Sequence, residues 1–292
     1  MTFREKLTAG RQVITFEITP PHGPDVAHFR ETALKLKPYF DAANVTDNQR
    51  ALMRMSNLAT ASLLVQMGLE PIYQLTCRDR NSLALQADLL GAQALGIPNV
   101  LCLTGDPVKA GHFTEAKPVF EFESVGMLNM IRGLKEGKDS SGRALDQPLT
   151  LFTGAVVNPS VANPAAQIRR MEKKIEAGAQ FFQTQAIFSA ETLESFMKQI
   201  AHLKVPVIAG LLVVRSLKSA RFLHDKVPGV FVPDALFQRL EQATDQAQAG
   251  IDYAIELSQQ FLGLCQGVHL MSIKNEECLA EIVERGQLRK GL

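Results

Sequence analysis

The stretch Gln12-Val13-Ile14-Thr15-Phe16-Glu17-Ile18 runs directly into Thr19-Pro20-Pro21-His22-Gly23, and its reading decides the fold. The first part is an apolar run of strand length with one carboxylate near its end. A carboxylate there costs free energy unless it is paired, hydrogen-bonded or used. The Pro20-Pro21 pair then stops the strand, because proline has no N–H to donate to a ladder. Glu17 is therefore expected at the C-terminal tip of a buried strand, where α/β enzymes gather their chemistry.

Working outward, similar short apolar runs recur at 41–46, 71–76, 99–104, 150–156, 180–186, 206–212 and 267–272. Helix-like segments lie between them at 25–37, 51–67, 81–95, 121–136, 164–177, 190–202, 216–225 and 234–262, and a last one at 275–286 should close the structure. Helix-ending glycines follow several of these, at Gly68, Gly96 and Gly178. Eight runs alternating with helices predict a parallel sheet. A closed (β/α)8 TIM barrel of the α/β class, one domain over 1–292, matches the count best, and an open doubly wound sheet is the alternative. The stretch 226–250 exceeds what one barrel unit requires, so an extra helix is expected there. The polar segment 137–149 reads as a surface loop.

Composition excludes several function classes. A net charge of +1 argues against nucleic acid or an anionic membrane as the main partner. No run of about 18 apolar residues suggests a transmembrane helix, and Met1–Arg11 lacks the apolar segment of a signal peptide. Cys77, Cys102, Cys265 and Cys278 form no CxxC pair, so reduced thiols in a cytoplasmic protein are expected and a metal site is not. The six histidines show no HxH or HExxH spacing, and His269 reads as a core or mouth residue. Neither GxGxxG nor GxxxxGK[ST] occurs.

In a barrel, the C-terminal strand tips converge on one mouth. Seven of the eight tips are polar: Glu17, Thr46-Asp47-Asn48, Thr76, Thr104-Gly105-Asp106, Asn158, Thr184-Gln185 and Ser272-Ile273-Lys274. A carboxylate in a partly desolvated mouth suits general acid work, although Glu17 could instead hydrogen-bond backbone amides. Asp106, in a turn between Gly105 and Pro107, could bind a heterocycle edge or form an Asx turn. Gln185 offers a donor and an acceptor to an amide-like ring edge, or is a loop glutamine. Arg169, Arg170, Lys173 and Lys174 form a basic run that reads as a solvated helix face or as a pyrophosphate anchor.

Taken in order, Phe16-Glu17-Ile18-Thr19-Pro20-Pro21, Asn44-Val45-Thr46, Gln74-Leu75-Thr76-Cys77, Leu103-Thr104-Gly105-Asp106-Pro107 and Lys173-Lys174-Ile175-Glu176-Ala177-Gly178-Ala179 leading to Thr184-Gln185 resemble the methylenetetrahydrofolate reductase family. The likeness runs from about Thr15 to Lys274. It implies flavin-dependent reduction of methylenetetrahydrofolate to methyltetrahydrofolate, with hydride from the reduced flavin N5. Glu17 falls on the general acid, and Asp106 on the aspartate that serves flavin and pterin. Gln185 and Lys274 fall at substrate-binding positions. Thr46, Gln74, Thr104, Gly105 and Asp106 fall on flavin contacts. Asn158, Asn163, Gln167, Arg170, Lys173 and Lys174 fall on its ribityl, phosphate and adenosine contacts.

FAD is the expected flavin and FMN the alternative, with NAD(P)H or an electron-transfer partner subunit as donor, in an oligomer. The chain departs from the family at several positions. Thr104 replaces an arginine, Gln74 a histidine, Asn158 a tyrosine and Leu217 an aromatic, and Asn275 stands where an arginine is common. The change at 217 bears on nicotinamide stacking, hence on the donor. Alternatives are a catalytic subunit active only with its partner or ferredoxin, and a non-redox pterin-binding barrel.

Overall fold

The computed structural model describes residues 1–161, 163–227, 229–273 and 275–289. A short helix α1 (Phe3–Thr8) precedes the first strand. Strands and helices then follow as β1 (Val13–Ile18), α2 (Ala27–Leu36), β2 (Ala42–Val45), α3 (Asn57–Gln66), β3 (Pro71–Thr76), α4 (Ser82–Ala94), β4 (Asn99–Leu103) and α5 (Ser124–Lys135). The second half continues with β5 (Phe152–Val157), α6 (Pro164–Glu176), β6 (Phe181–Ala186), α7 (Ala190–Ile200), β7 (Val207–Val213), α8 (Leu217–Lys226), α9 (Asp234–Gln242), α10 (Gln246–Leu262), β8 (Gly267–Ser272) and α11 (Glu277–Arg285). The strands form one closed parallel barrel in sequence order, with β8 returning to pair with β1. This is the expected (β/α)8 barrel, and the open-sheet alternative falls away.

Local chemistry sets most boundaries. Side-chain oxygens of Asn81, Asn163, Ser189, Ser216 and Asp245 accept the first free helical N–H groups of α4, α6, α7, α8 and α10. Gly68, Gly96 and Gly178 take the left-handed conformation just past α3, α4 and α6, as expected of helix-ending glycines. Two boundaries differ from expectation. The helix anticipated from 51 begins only at Asn57, because 46–56 is drawn over the barrel mouth. The long segment 234–262 is two helices, broken where Ala243 turns extended and Asp245 caps the next one.

The strand period of two sorts the interior into levels. At the N-terminal end Val13, Ala42, Ile72, Leu101, Phe152, Phe181 and Ile208 form an apolar plug, closed from below by Phe3 and Leu7 of α1. Phe3 meets Phe181 and Phe152 edge-on, with centroids 5.3 and 6.1 Å apart. Gly154 makes room for this packing, since a Cβ there would lie 2.2 Å from Phe181 Cζ. One level higher the interior becomes polar, with Thr15, Asn44, Gln183 and His269 all buried. The Asn44 and Gln183 amides exchange hydrogen bonds across the barrel at 2.7 and 3.1 Å, so neither is left unsatisfied. The plug thus seals the N-terminal end of the barrel.

Truncation of the plug should be costly. Phe3→Ala is expected to lower unfolding free energy by about 3–5 kcal/mol in urea titrations. A loss below about 1 kcal/mol would show that α1 stands outside the cooperative core.

Candidate active site

Glu17 is the one incompletely buried residue of β1, with its side chain 13% exposed. Its Oε1 accepts from Gln49 Nε2 at 3.3 Å, and Gln74 Nε2 approaches Oε2 at 3.5 Å. His269 Nε2 lies 3.9 Å from the same Oε2. The β1–β8 register places Thr15 beside His269, and Thr15 Oγ1 meets His269 Nδ1 at 2.9 Å. A neutral ring that accepts from Thr15 at Nδ1 carries its proton on Nε2, facing the carboxylate. Thr15, His269 and Glu17 therefore form a polar line from the sealed interior to the mouth.

Asp106 sits on the opposite rim, in a turn made by Gly105 at φ +98°. Its Oδ2 accepts the backbone N–H of Arg50 at 2.8 Å. Gln49 and Arg50 are consecutive, so one loop reaches both carboxylates. Gln185 is the exposed residue of β6 and lies where the β6–β7 register shifts between Gln183 and Ala186. Such irregularities turn a side chain out of the regular pleat. Thr46 is fully buried at the tip of β2, and its Oγ1 has no hydrogen-bond partner among the described residues. Gln74 is also buried, and its carbonyl accepts from Asn57 Nδ2. Lys274 lies outside the described residues.

The positions assigned to a phosphate-bearing tail do not share one role. Asn158 ties the mouth loops by donating to Gly229 O at 3.1 Å. Asn163 caps α6, and Thr104 Oγ1 accepts from Ser124 N at the start of α5. Arg170 pairs with Glu123, Gln167 is half-buried and Lys173 is exposed. Lys174 turns inward, and its Nζ donates to Val156 O at 2.6 Å. The basic run is thus split by helical geometry, with Lys173 and Arg170 outside and Lys174 beneath.

Sequence reasoning did not single out Gln49, Thr15 or Arg80. Arg80 clasps Asp47 at 2.7 Å, while Asp47 Oδ2 also accepts from Thr76 N and Oγ1 at 2.9 and 2.7 Å. Asp47, although at a strand tip, is therefore occupied in locking β2 to β3. The four cysteines are buried and unpaired, and burial pushes the Cys77 thiol up to about 12. Among the described residues no cluster of His, Cys, Asp and Glu is placed to hold a metal, and no helix is long and apolar enough to cross a membrane.

The profile of the methylenetetrahydrofolate reductase family matches residues 2–287. The chain belongs to this family. A Schizosaccharomyces pombe relative named methylenetetrahydrofolate reductase 2 is 25% identical over 308 residues, covering 97% of this chain and 47% of that protein. A Caenorhabditis elegans relative named probable methylenetetrahydrofolate reductase (NADPH) is 26% identical over 237 residues, covering 78% and 34%. The chain therefore spans less than half the length of these two relatives. Among solved structures, a Clostridium thermocellum protein described as binding two copies of 5-methyl-5,6,7,8-tetrahydrofolic acid superimposes with a TM-score of 0.69 at 16% identity, over 99% of each chain. Phosphonopyruvate hydrolase superimposes at 0.53 with 13% identity, over 99% of this chain and 88% of that one. At such identities the likeness establishes the barrel fold.

Within this family member, Lys174 gives a pH-dependent test of the inward placement. Burial first, then the neighbouring Arg170, lowers its ammonium from the ordinary 10.5 to about 8. The folded value lies below the unfolded one, so the charged form is disfavoured by folding. Between these values the unfolded chain binds the extra proton, and stability rises with pH. Relative to Lys174→Met, the wild type should gain stability from pH 8 to 10 by up to roughly 1.4 kcal/mol per pH unit in urea titrations. A pH-independent difference would place the ammonium in solvent.

Proposed function

We propose that the chain reduces 5,10-methylenetetrahydrofolate to 5-methyltetrahydrofolate with the help of a bound flavin, and that Glu17 is its general acid. The observation that carries this reading is the Thr15–His269–Glu17 line ending at the barrel mouth of a chain that belongs to this family. The names of the yeast and nematode relatives and the methyltetrahydrofolate bound by the Clostridium thermocellum neighbour support the same substrate class.

The reaction needs a proton and a hydride at different atoms. Protonated Glu17 delivers its proton to the ring nitrogen that leaves the methylene carbon, so the imidazolidine opens to an electrophilic iminium. Gln74 steadies the carboxyl group, and His269 lies beside its Oε2. Asp106 and Gln185 orient the pterin, with Lys274 as a further contact. Flavin, when bound, supplies the hydride from N5 that converts the methylene carbon to methyl.

The residues at the mouth fit such a group. The unpartnered Thr46 hydroxyl and the Gln74 amide offer hydrogen bonds to a polar ring edge. Gly105 lets the turn that carries Asp106 pass close to β3, since a Cβ there would come within 3.1 Å of Thr76 Cβ and Arg78 Cβ. Arg170 and Lys173, exposed on α6, would meet the phosphates, with Asn158, Asn163 and Gln167 alongside and Lys174 shaping the wall behind them. Membership of the family favours FAD, and the mass of the co-purifying flavin separates it from FMN. Leu217 supplies no aromatic face for a nicotinamide, which favours electrons delivered by a partner protein over NAD(P)H. Anaerobic reduction of the isolated chain by NADH or NADPH would reverse that preference.

Glu17→Gln should slow reduction of methylenetetrahydrofolate by about 10²-fold, the scale for losing a general acid. Reduction of the flavin by its donor should be little changed. Equal slowing of both half-reactions would reject the acid role.

A further inference from the structure

The loop after β2 does something that neither the fold nor the proposed chemistry requires. It is fixed at both ends. At one end Asp47 is clasped by Arg80 and Thr76, and at the other Asn57 donates to the Gln74 carbonyl. Between these posts, residues 48–56 cross the mouth. Three of them, Asn48, Arg50 and Ala51, hold φ of 45°, 57° and 53°, a region L side chains rarely adopt and none is glycine. A conformation of this kind persists only where surrounding contacts over-determine it.

Those contacts are specific. Gln49 donates to Glu17 at 3.3 Å, and the Arg50 N–H donates to Asp106 at 2.8 Å. Met55 N donates to Pro21 O at 2.8 Å, and Arg54 N to Asn48 Oδ1 at 2.8 Å. Ala51 packs against Gly111 so closely that a Cβ on Gly111 would stand 1.9 Å from the Ala51 carbonyl oxygen. The Arg50 guanidinium lies over the Phe222 ring of α8, 5.6 Å from its centroid. The loop is thereby pinned to the rims of β1 and β4 and to helix α8 at once.

Two of these pins occupy the carboxylates that the proposed reaction needs. The loop spans the gap between Glu17 and Asp106, so a pterin ring set against both carboxylates must displace Gln49 and the Arg50 backbone. Closure and ligand binding therefore compete for the same space. We propose that residues 48–56 are a lid, closed in this structure, that opens to admit the pterin, and that the Arg50–Phe222 stack is its latch. This rests on the reading of the mouth as a folate site. The stack is the pin to test because it lies outside the carboxylates and on the surface, where Phe222 is 43% exposed. With a lid that must open first, apparent affinity and association rate scale with the open fraction.

The chain has no tryptophan, so Met53→Trp places a single indole on the lid, at a position 43% exposed. The probe is 5-methyltetrahydrofolate, added to the full-length protein carrying its native cofactor. Binding is expected to change the indole emission. Phe222→Ala, and independently Arg50→Gln, should raise the association rate roughly two- to fivefold, the scale of one exposed cation–π contact. Both variants should also speed amide hydrogen exchange of 48–56 in the absence of ligand, leaving the barrel strands unchanged. Calorimetric binding to the wild type with no change in emission, or unaltered exchange of 48–56 in both variants, would overturn the lid while leaving the folate reading intact. Failure of the wild type to bind the probe, with exchange of 48–56 accelerated in the variants, would overturn the folate reading and reduce the lid to a mobile loop.

Discussion

Closure of the parallel ladder between β8 and β1 is the constraint on which the rest depends. That pairing sets Thr15 beside His269. Because strand side chains alternate, it also sets Glu17 one pleat higher, facing the same mouth. A shift of one residue in this register would turn Glu17 into the helix layer and bring Phe16 into the barrel. The apolar plug at the other end makes such a shift unfavourable, since Val13 would leave its place among Ile72, Phe152 and Phe181.

A polar interior above an apolar plug must satisfy its own hydrogen bonds. The reciprocal Asn44–Gln183 pair does this across the barrel, and the Asp47–Arg80–Thr76 clasp does it at the β2–β3 rim. The clasp matters beyond stability. It pins the point where the chain leaves β2, so the loop that follows is forced over the mouth and carries Gln49 and Arg50 to the two carboxylates. Rigid posts on either side of an irregular span allow the span to move as a unit while the strands beneath stay still.

Much of the barrel could be read from the chain because its signals are local. Apolar runs of strand length, proline and glycine stops and capping side chains act within a few residues of one another. Glu17 and Gln185 stood out for the same reason, as polar residues inside such runs. The split of 234–262 into α9 and α10 and the late start of α3 were less visible. Residues 51–56 have helix-forming composition, and their attachments to Pro21 and Gly111, distant in sequence, keep them out of a helix. The inward turn of Lys174 likewise depends on the carbonyl of Val156 on another element.

By itself the sequence determined the number and order of the strand–helix units, the strand tips at which polar groups emerge, and the family to which those tips point. Side-chain periodicity and turn chemistry act over short distances, so these features survive without a folded context. Tertiary structure alone decided which tips meet. It paired His269 with Thr15 and Glu17, committed Asp47 to Arg80, drew Lys174 under the barrel wall and laid Gln49 and Arg50 over the mouth. Each of these joins residues separated by many positions, and their energies depend on distance and burial, which exist only once the barrel has closed.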